Sequence, residues 1–235
     1  SEVIELPTYW IFESEGFKED RYGNEILPNS IKNDEWNLTR LTDKTALNSF
    51  PLLFNFESGE NKITIHGVNG ELLIAYVQVL SEELPLTYEE YLTQNSGEVK
   101  GSLNIIGAED IYLKSNPSIS LDSERDPSAT SYDTKYLRLN SLNGSSYRNG
   151  NDEISYQVTV EEDGYYHIGF KYKQDYVMQM PVFREIKIDG EIPFEEVSMY
   201  PFAYTTEYAN MVLNNGEEDF KFYLTAGETH TISLR

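Results

Sequence analysis

Cysteine is absent from the 235 residues. Disulfides, thiol nucleophiles and cysteine-ligated zinc are thereby excluded, while the compartment stays open. Histidine is scarce: His66, His167 and His230 are the only three. All fall inside expected strands at spacings unlike a metal or catalytic cluster, so they read as outward-facing strand residues. No apolar run approaches the ~20 residues of a membrane-spanning helix, and direct membrane insertion is not expected. Ser1-Glu2 opens no signal peptide, and the chain reads as the mature or excised part of something larger. There is no glycine-rich phosphate loop, because Asn143-Gly144 and Asn149-Gly150 are ordinary turn dipeptides. Positive charge is also in short supply, with 18 Lys and Arg against 40 acids and a net charge of −22. Such a surface repels phosphate backbones and anionic membranes, so nucleic acid is not an expected partner. The acids are spread along the chain, as on a solvated surface and not a binding tail.

What is present suits a packed β protein. Hydrophobic content is 39%, and 18 Tyr and 11 Phe far outnumber 2 Trp. Aromatic residues fill pleated faces well. The densest pattern runs from Asp163 to Phe194, DGYYHIGFKYKQDYVMQMPVFREIKIDGEIPF. Tyr166, Ile168, Phe170 and Tyr172 alternate with His167, Gly169 and Lys171, the period of a strand with one buried face. A loop at Asp175 to Pro181 leads to a strand over 182–188 and a tight turn at Asp189-Gly190. Upstream, Ile154, Tyr156, Val158 and Val160 alternate as well. Three consecutive strands, each with one apolar face, need a second sheet to cover them. The expected fold is all-β, an antiparallel β-sandwich of jelly-roll type, with a partial second β-rich unit at the N-terminus.

The remaining segments divide the chain. Residues 1–80 read as the closing part of a first sandwich or as a β-rich packing unit: an irregular stretch to about residue 50, a hairpin over 52–66, and a strand over 72–80. Residues 81–101 read as a short helix and linker, with Thr87 and Glu90 spaced as a capping box and Tyr88, Tyr91 and Leu92 on one face. Residues 102–235 read as the main sandwich, starting with strands near 103–108, 111–114 and 136–139. The final hairpin has an echo: with Gly59 set on Gly227, LFNFESGENKITI lies over KFYLTAGETHTISL with one inserted residue. Either residues 1–80 close a sandwich whose opening half is elsewhere, or they pack onto the second unit as one larger body.

Chemistry is sought in the irregular segments. Asp122 to Asp126 (DSERD) offers oxygen ligands of the kind calcium takes, but without the spacing of a known cage; a solvated loop is the simpler reading. With 40 acids no carboxylate pair can be singled out for glycoside hydrolysis, and no catalysis is expected. Tyr147, Tyr176, Tyr200, Tyr204 and Tyr208 lie outside the alternating core positions. Sugar rings lay their C–H faces on aromatic rings while amides, carboxylates and guanidinium groups bind the hydroxyls. Gln174, Asp175, Arg184 and Asn210 stand close to these tyrosines in sequence. A glycan or oligosaccharide site is therefore expected around Tyr147, Gln174, Asp175, Tyr176, Arg184, Tyr204, Tyr208 and Asn210.

Four segments in order, DGYYHIGFKYKQDY, FREIKIDGEIPFEEV, FAYTTEY and DFKFYLTAGETHTISL, resemble the galactose-binding-like β-sandwich of extracellular solute-binding lipoproteins in Gram-positive bacteria. Those serve carbohydrate ABC importers, and their sandwiches are similar to carbohydrate-binding modules of families 6 and 35. FNFESGENKITI followed by ELPLTYEEYL resembles the end of a preceding sandwich in the same proteins. The resemblance implies an extracellular, cell-surface-attached, non-catalytic part of a sugar-uptake protein, with the remainder of that protein and its transporter as partners. It also implies a structural calcium: Gly107-Ala108-Glu109 matches a Glu-x-Glu strand start and keeps Glu109. Tyr208 stands where related loops carry Trp. A structural domain that orients a larger solute-binding protein, without sugar binding of its own, is the alternative.

Overall fold

The computed structural model describes residues 4, 6–13, 16–42, 51–81 and 85–235. Four short strands, β1 (Trp10–Phe12), β2 (Lys18–Glu19), β3 (Glu25–Ile26) and β4 (Ser30–Lys32), precede helix α1 (Tyr88–Gln94). The next are β5 (Leu113–Lys114), β6 (Leu121–Asp122), β7 (Ser141–Leu142), β8 (Ile154–Thr159), β9 (Gly164–Tyr166) and β10 (Gly169–Tyr172). Then come β11 (Val182–Arg184), β12 (Ile186–Ile188), β13 (Tyr200–Phe202), β14 (Ala209–Val212), β15 (Phe222–Leu224) and β16 (Thr229–Leu234).

One layer is a six-stranded antiparallel sheet in the order β12-β16-β8-β5-β1-β4. The other is assembled from the antiparallel pairs β9–β15, β10–β14, β11–β13 and β6–β7. Ile154, Ile186 and Leu234 from the large sheet share one core with Ile168, Phe202 and Phe222 from the pairs. This is the antiparallel β-sandwich the alternation calls for. The expected strand over 182–188 changes partner midway, β11 pairing with β13 and β12 with β16. Between them Glu185 exchanges backbone hydrogen bonds with Arg235, at 2.9 and 3.0 Å. At the turn, Asp189 and Gly190 have φ of 53° and 83°, the left-handed pair a two-residue hairpin turn requires.

The N-terminal stretch joins the large sheet. β1 pairs with β4 along three residues and with β5 at Trp10 and Lys114. Sequence patterning gave no sign of the role of Lys114, which is buried. Its ammonium sits 3.9 Å from the centre of the Phe12 ring and donates to Ile119 O at 2.5 Å and Ser30 Oγ at 2.7 Å. Burial pulls its pKa down to about 8. The ammonium thus pins the β1–β4 ribbon to the loop after β5.

Two expectations are corrected. Residues 52–66 and 72–80 form no strands: the described stretch 51–81 has no regular structure beyond a bridge at Pro51, and nearly all of it is exposed. Residues 103–108 and 136–139 are not strands either. Alternation makes a face, but a strand also needs a neighbour for its N–H and C=O groups, and the sheet ends at β4. The second correction concerns His230, which faces inward and is 5% exposed. Its Nδ1 lies 2.7 Å from Asp189 Oδ2, and its Nε2 lies 3.0 Å from Thr225 O. It clips the β12 turn to the β15–β16 turn. His66 and His167 are exposed as expected, but neither lies in a strand, His167 falling between β9 and β10.

Helix α1 begins with the expected capping box between Thr87 and Glu90. Its first residue, Tyr88, is buried in the core. Phe194, fully buried, touches Tyr88, Tyr91, Phe220 and Phe222 with ring centroids 4.9–5.4 Å apart. The hydroxyls of Tyr88 and Tyr91 accept the backbone N–H groups of Lys221 and Tyr223, at 3.0 and 2.8 Å. In return, the Tyr88 N–H donates to the Glu196 carboxylate at 3.0 Å.

Phe194→Ala removes the shared ring of this cluster. A loss of ~3–5 kcal/mol is expected, lowering Tm by roughly 10 °C at this chain length; a calorimetric scan checks it. The His230 clip gives a pH dependence. Burial lowers the imidazole pKa, but hydrogen bonds to Asp189 and Thr225 and the charges of Asp189 and Glu228 outweigh it, leaving the value above 6.5. A group raised on folding stabilises fully below its unfolded pKa, and that contribution disappears as pH climbs through the folded value. Urea midpoints should therefore fall on going from pH 6 to pH values above the folded pKa, and Asp189→Asn should flatten that slope.

Candidate functional site

The structure places the expected sugar-binding residues in two very different settings. Tyr147 is a core residue: its hydroxyl donates to Leu234 O at 2.6 Å, and burial pushes its phenol well above the usual range. Arg184 lies over that ring at 4.3 Å and donates to Tyr147 O at 3.0 Å. Tyr147 is thereby structural, while Arg184, half-buried, holds the Tyr147 loop through one nitrogen of its guanidinium. Gln174 is buried too. Its amide donates to Met180 O at 2.8 Å and accepts the Val177 N–H at 3.0 Å. It shapes the loop after β10 and offers nothing to a ligand. Tyr200, on β13, is likewise buried, with its hydroxyl bonded to Asn214. These residues look like loop residues in sequence because the turns around them fold inward.

Tyr176, Asp175, Tyr204, Tyr208 and Asn210 remain at the surface. Tyr176 is 77% exposed and Tyr204 is half-buried. Tyr208 is half-buried just before β14, and Asn210, on β14, is paired with Lys171 of β10. The residue that gathers this group is Lys173. Its ammonium lies 5.5 Å from the centre of the Tyr208 ring, 3.6 Å from Glu124 and 3.8 Å from Asp175. Burial first, then the charge of Glu124, pushes the Tyr208 phenol up to about 12. Its hydroxyl also bonds to Ser141. Asp126 stands in the same field: the Ser128 N–H, chiefly, and then Lys171 and Lys173 hold its carboxyl below the usual range.

The result is a half-buried aromatic ring with the Lys173 ammonium over it, Glu124 and Asp175 paired with that ammonium, and Asp126 within the field of Lys171 and Lys173. A ring of this kind offers a platform for C–H faces, and the rim supplies donors and acceptors for hydroxyl groups. Glu124 and Asp126 come from the DSERD run, which the sequence suggested only as a loop of oxygen ligands. Lys171 is an outward position of the alternating strand read from sequence, and Lys173 continues that alternation. Their convergence is not visible there, since it depends on β6–β7 lying alongside the β10–β14 end of the sandwich.

Other clusters serve the fold. Lys187 bridges Glu153 at 2.7 Å and Glu185 at 3.2 Å, with Arg235 at 3.3 Å from Glu185. Both carboxylates are neutralised by these cations. Thr225, His230 and Asp189 line up in the manner of a hydroxyl relay, but the Thr225 hydroxyl donates to Glu228 at 3.1 Å. An open depression of about 350 Å³ runs along Asn214, Gly216, Glu217, Glu218 and Asp219, and no aromatic ring lines it.

Glu109 fits a calcium only in part. One carboxylate oxygen accepts the Ser131 hydroxyl at 2.9 Å, and the other is buried without a hydrogen bond. A Cβ at Gly107 would lie 2.6 Å from that carboxylate and would push it aside. Calcium takes six to eight oxygens, yet among the described residues no three acidic or histidine side chains gather as a metal group.

No protein-family model matches the chain, and no curated protein matches it. Among solved structures, a GH26-CBM35 β-(1,4)-mannanase from Podospora anserina matches over 55% of this chain, with 16% identity and a TM-score of 0.37. A cycloisomaltooligosaccharide glucanotransferase from Paenibacillus sp., complexed with cycloisomaltoheptaose, matches over 64%, with 19% identity and a TM-score of 0.39. The chain spans 23% and 17% of the length of these two proteins. At these values the likeness is too slight to carry a ligand or an activity across.

Proposed function

We propose that this β-sandwich is a non-catalytic carbohydrate-recognition module. The observation that supports the reading is the Tyr208 ring held beside Lys173, with Glu124, Asp126, Lys171 and Asn210 around it. A saccharide ring stacks its C–H face on Tyr208, and its hydroxyls exchange hydrogen bonds with the charged rim. Tyr204 and Tyr176 lie on the neighbouring loops and extend the surface for further units of an oligosaccharide. Nothing in the scheme requires a metal, and Glu109 is read as a structural residue of the turn before β5. The setting that completes the proposal, an extracellular, cell-surface-attached sugar-uptake protein working with an ABC transporter, rests on the sequence resemblance alone.

Titration calorimetry against a panel of plant, microbial and host oligosaccharides tests the reading. Binding of at least one saccharide is expected. Tyr208→Ala should weaken it ~10-fold or more, about 1.4 kcal/mol, and Lys173→Met should weaken it as well. Tyr147→Phe should lower Tm while leaving affinity in place, since that hydroxyl is buried and donates to Leu234 O. No heat with any saccharide, or unchanged affinity in Tyr208→Ala, overturns the reading. It would leave a structural domain that orients a larger protein.

A further inference from the structure

Residues 53–81 are exposed without a break and contain no helix or strand. Large apolar side chains recur along them: Leu53, Phe54, Phe56, Leu72, Leu73 and Tyr76 are 42–82% exposed. Among the described residues, the backbone hydrogen bond that ties stretch 51–81 to another segment is the Leu52 N–H on Leu41 O, at 2.7 Å. The bonds of Asn61 to Glu57 and Gly59 stay within the stretch.

The segments on either side of it hold each other directly. β1 pairs with β5, and Phe12 and Phe17 pack on the shared core. The Glu25 N–H donates to Leu137 O at 3.0 Å, and the Glu25 carboxylate accepts the Leu139 N–H at 2.7 Å. Arg138 bridges Glu19 at 2.9 Å and Glu25 at 3.2 Å. Farther along, the Tyr112 hydroxyl donates to Glu35 at 3.0 Å and Arg40 bridges Glu191 at 2.6 Å. None of these contacts runs through residues 53–81.

We propose that residues 53–80 are a processing site, cut by an endoprotease whose pocket takes large apolar side chains, and that the two chains produced stay together as one sandwich. A protease must draw several residues into its cleft, and a folded segment allows this only after local opening. Here there is no sheet or helix to open. Lys62 is the one Lys or Arg in stretch 51–81, so an apolar pocket finds far more sites there than a basic-specific one. In the cut, water adds across a peptide bond, its hydroxyl going to the carbonyl carbon and its other proton to the released amine. The loop at 175–181 also exposes apolar side chains, Tyr176, Met178 and Met180. That loop is braced by Gln174, which bonds to Met180 O and the Val177 N–H, and by the Met180 N–H on Val177 O at 3.2 Å.

Brief digestion of the intact 235-residue chain with chymotrypsin, mapped by mass spectrometry, tests this. The first cut should fall within residues 53–80, at least ~100-fold faster than in the sandwich, where cleavage waits on unfolding. The two fragments should elute together from a sizing column at the volume of the uncut chain and separate only in concentrated urea. Resistance of residues 53–80 overturns the proposal, as does a first cut at 36–41, at 174–183 or anywhere else outside the stretch. Fragments that part without denaturant overturn it too.

Discussion

A strand at the margin of a sheet has backbone groups that water or a side chain must satisfy. In this protein β15 has one strand neighbour, β9, and the N–H groups of Tyr223 within it and of Lys221 just before it are taken by two tyrosine hydroxyls from helix α1. That arrangement fixes much else. It requires the helix to start where Tyr88 and Tyr91 reach Lys221 and Tyr223, and it draws Phe194 between them as the common contact of both elements. The Glu196 carboxylate then meets the helix N-terminus, where free N–H groups favour an anion. A seven-residue helix would be marginal alone. Its stability comes from serving as a lateral seal for the sandwich.

The rim around Tyr208 depends on that core in turn. β10 presents Phe170 and Tyr172 inward against Phe202, so Lys171 and Lys173 must point the other way. Period-two geometry, not local preference, puts Lys173 over the Tyr208 ring and Lys171 opposite Asn210. The carboxylates of Glu124 and Asp126 keep them from repelling one another. A surface charge of one sign over the whole molecule thus contains a small patch in which both signs meet.

Much of the fold was legible from residues alone. Alternation in β8, β9–β10 and β16, the Asp189-Gly190 turn and the Thr87–Glu90 box are local signals, each with a local cause. The site was legible only in outline. Tyr147 and Tyr208 both sit in polar surroundings in sequence, yet one is buried with its hydroxyl on Leu234 O and the other is a half-buried ring beneath Lys173. No window of ten residues contains that difference, because it is set by the path of the C-terminal strand. The same holds for Lys114, an ordinary lysine in sequence that becomes an ammonium under a phenyl ring once β1 arrives. Residues 52–80 show the converse: their pattern reads plainly as strand, but a pattern cannot supply the neighbour that makes it one.

Lys114 carries one more consequence. An amine whose pKa burial holds near 8 is deprotonated more often at neutral pH than an ordinary lysine. It is also sealed beneath Phe12 and Ser30. Its reaction with a reagent in solvent is therefore gated by the rate at which the N-terminal ribbon peels away, which makes this side chain a built-in clock for fraying of that margin of the sheet.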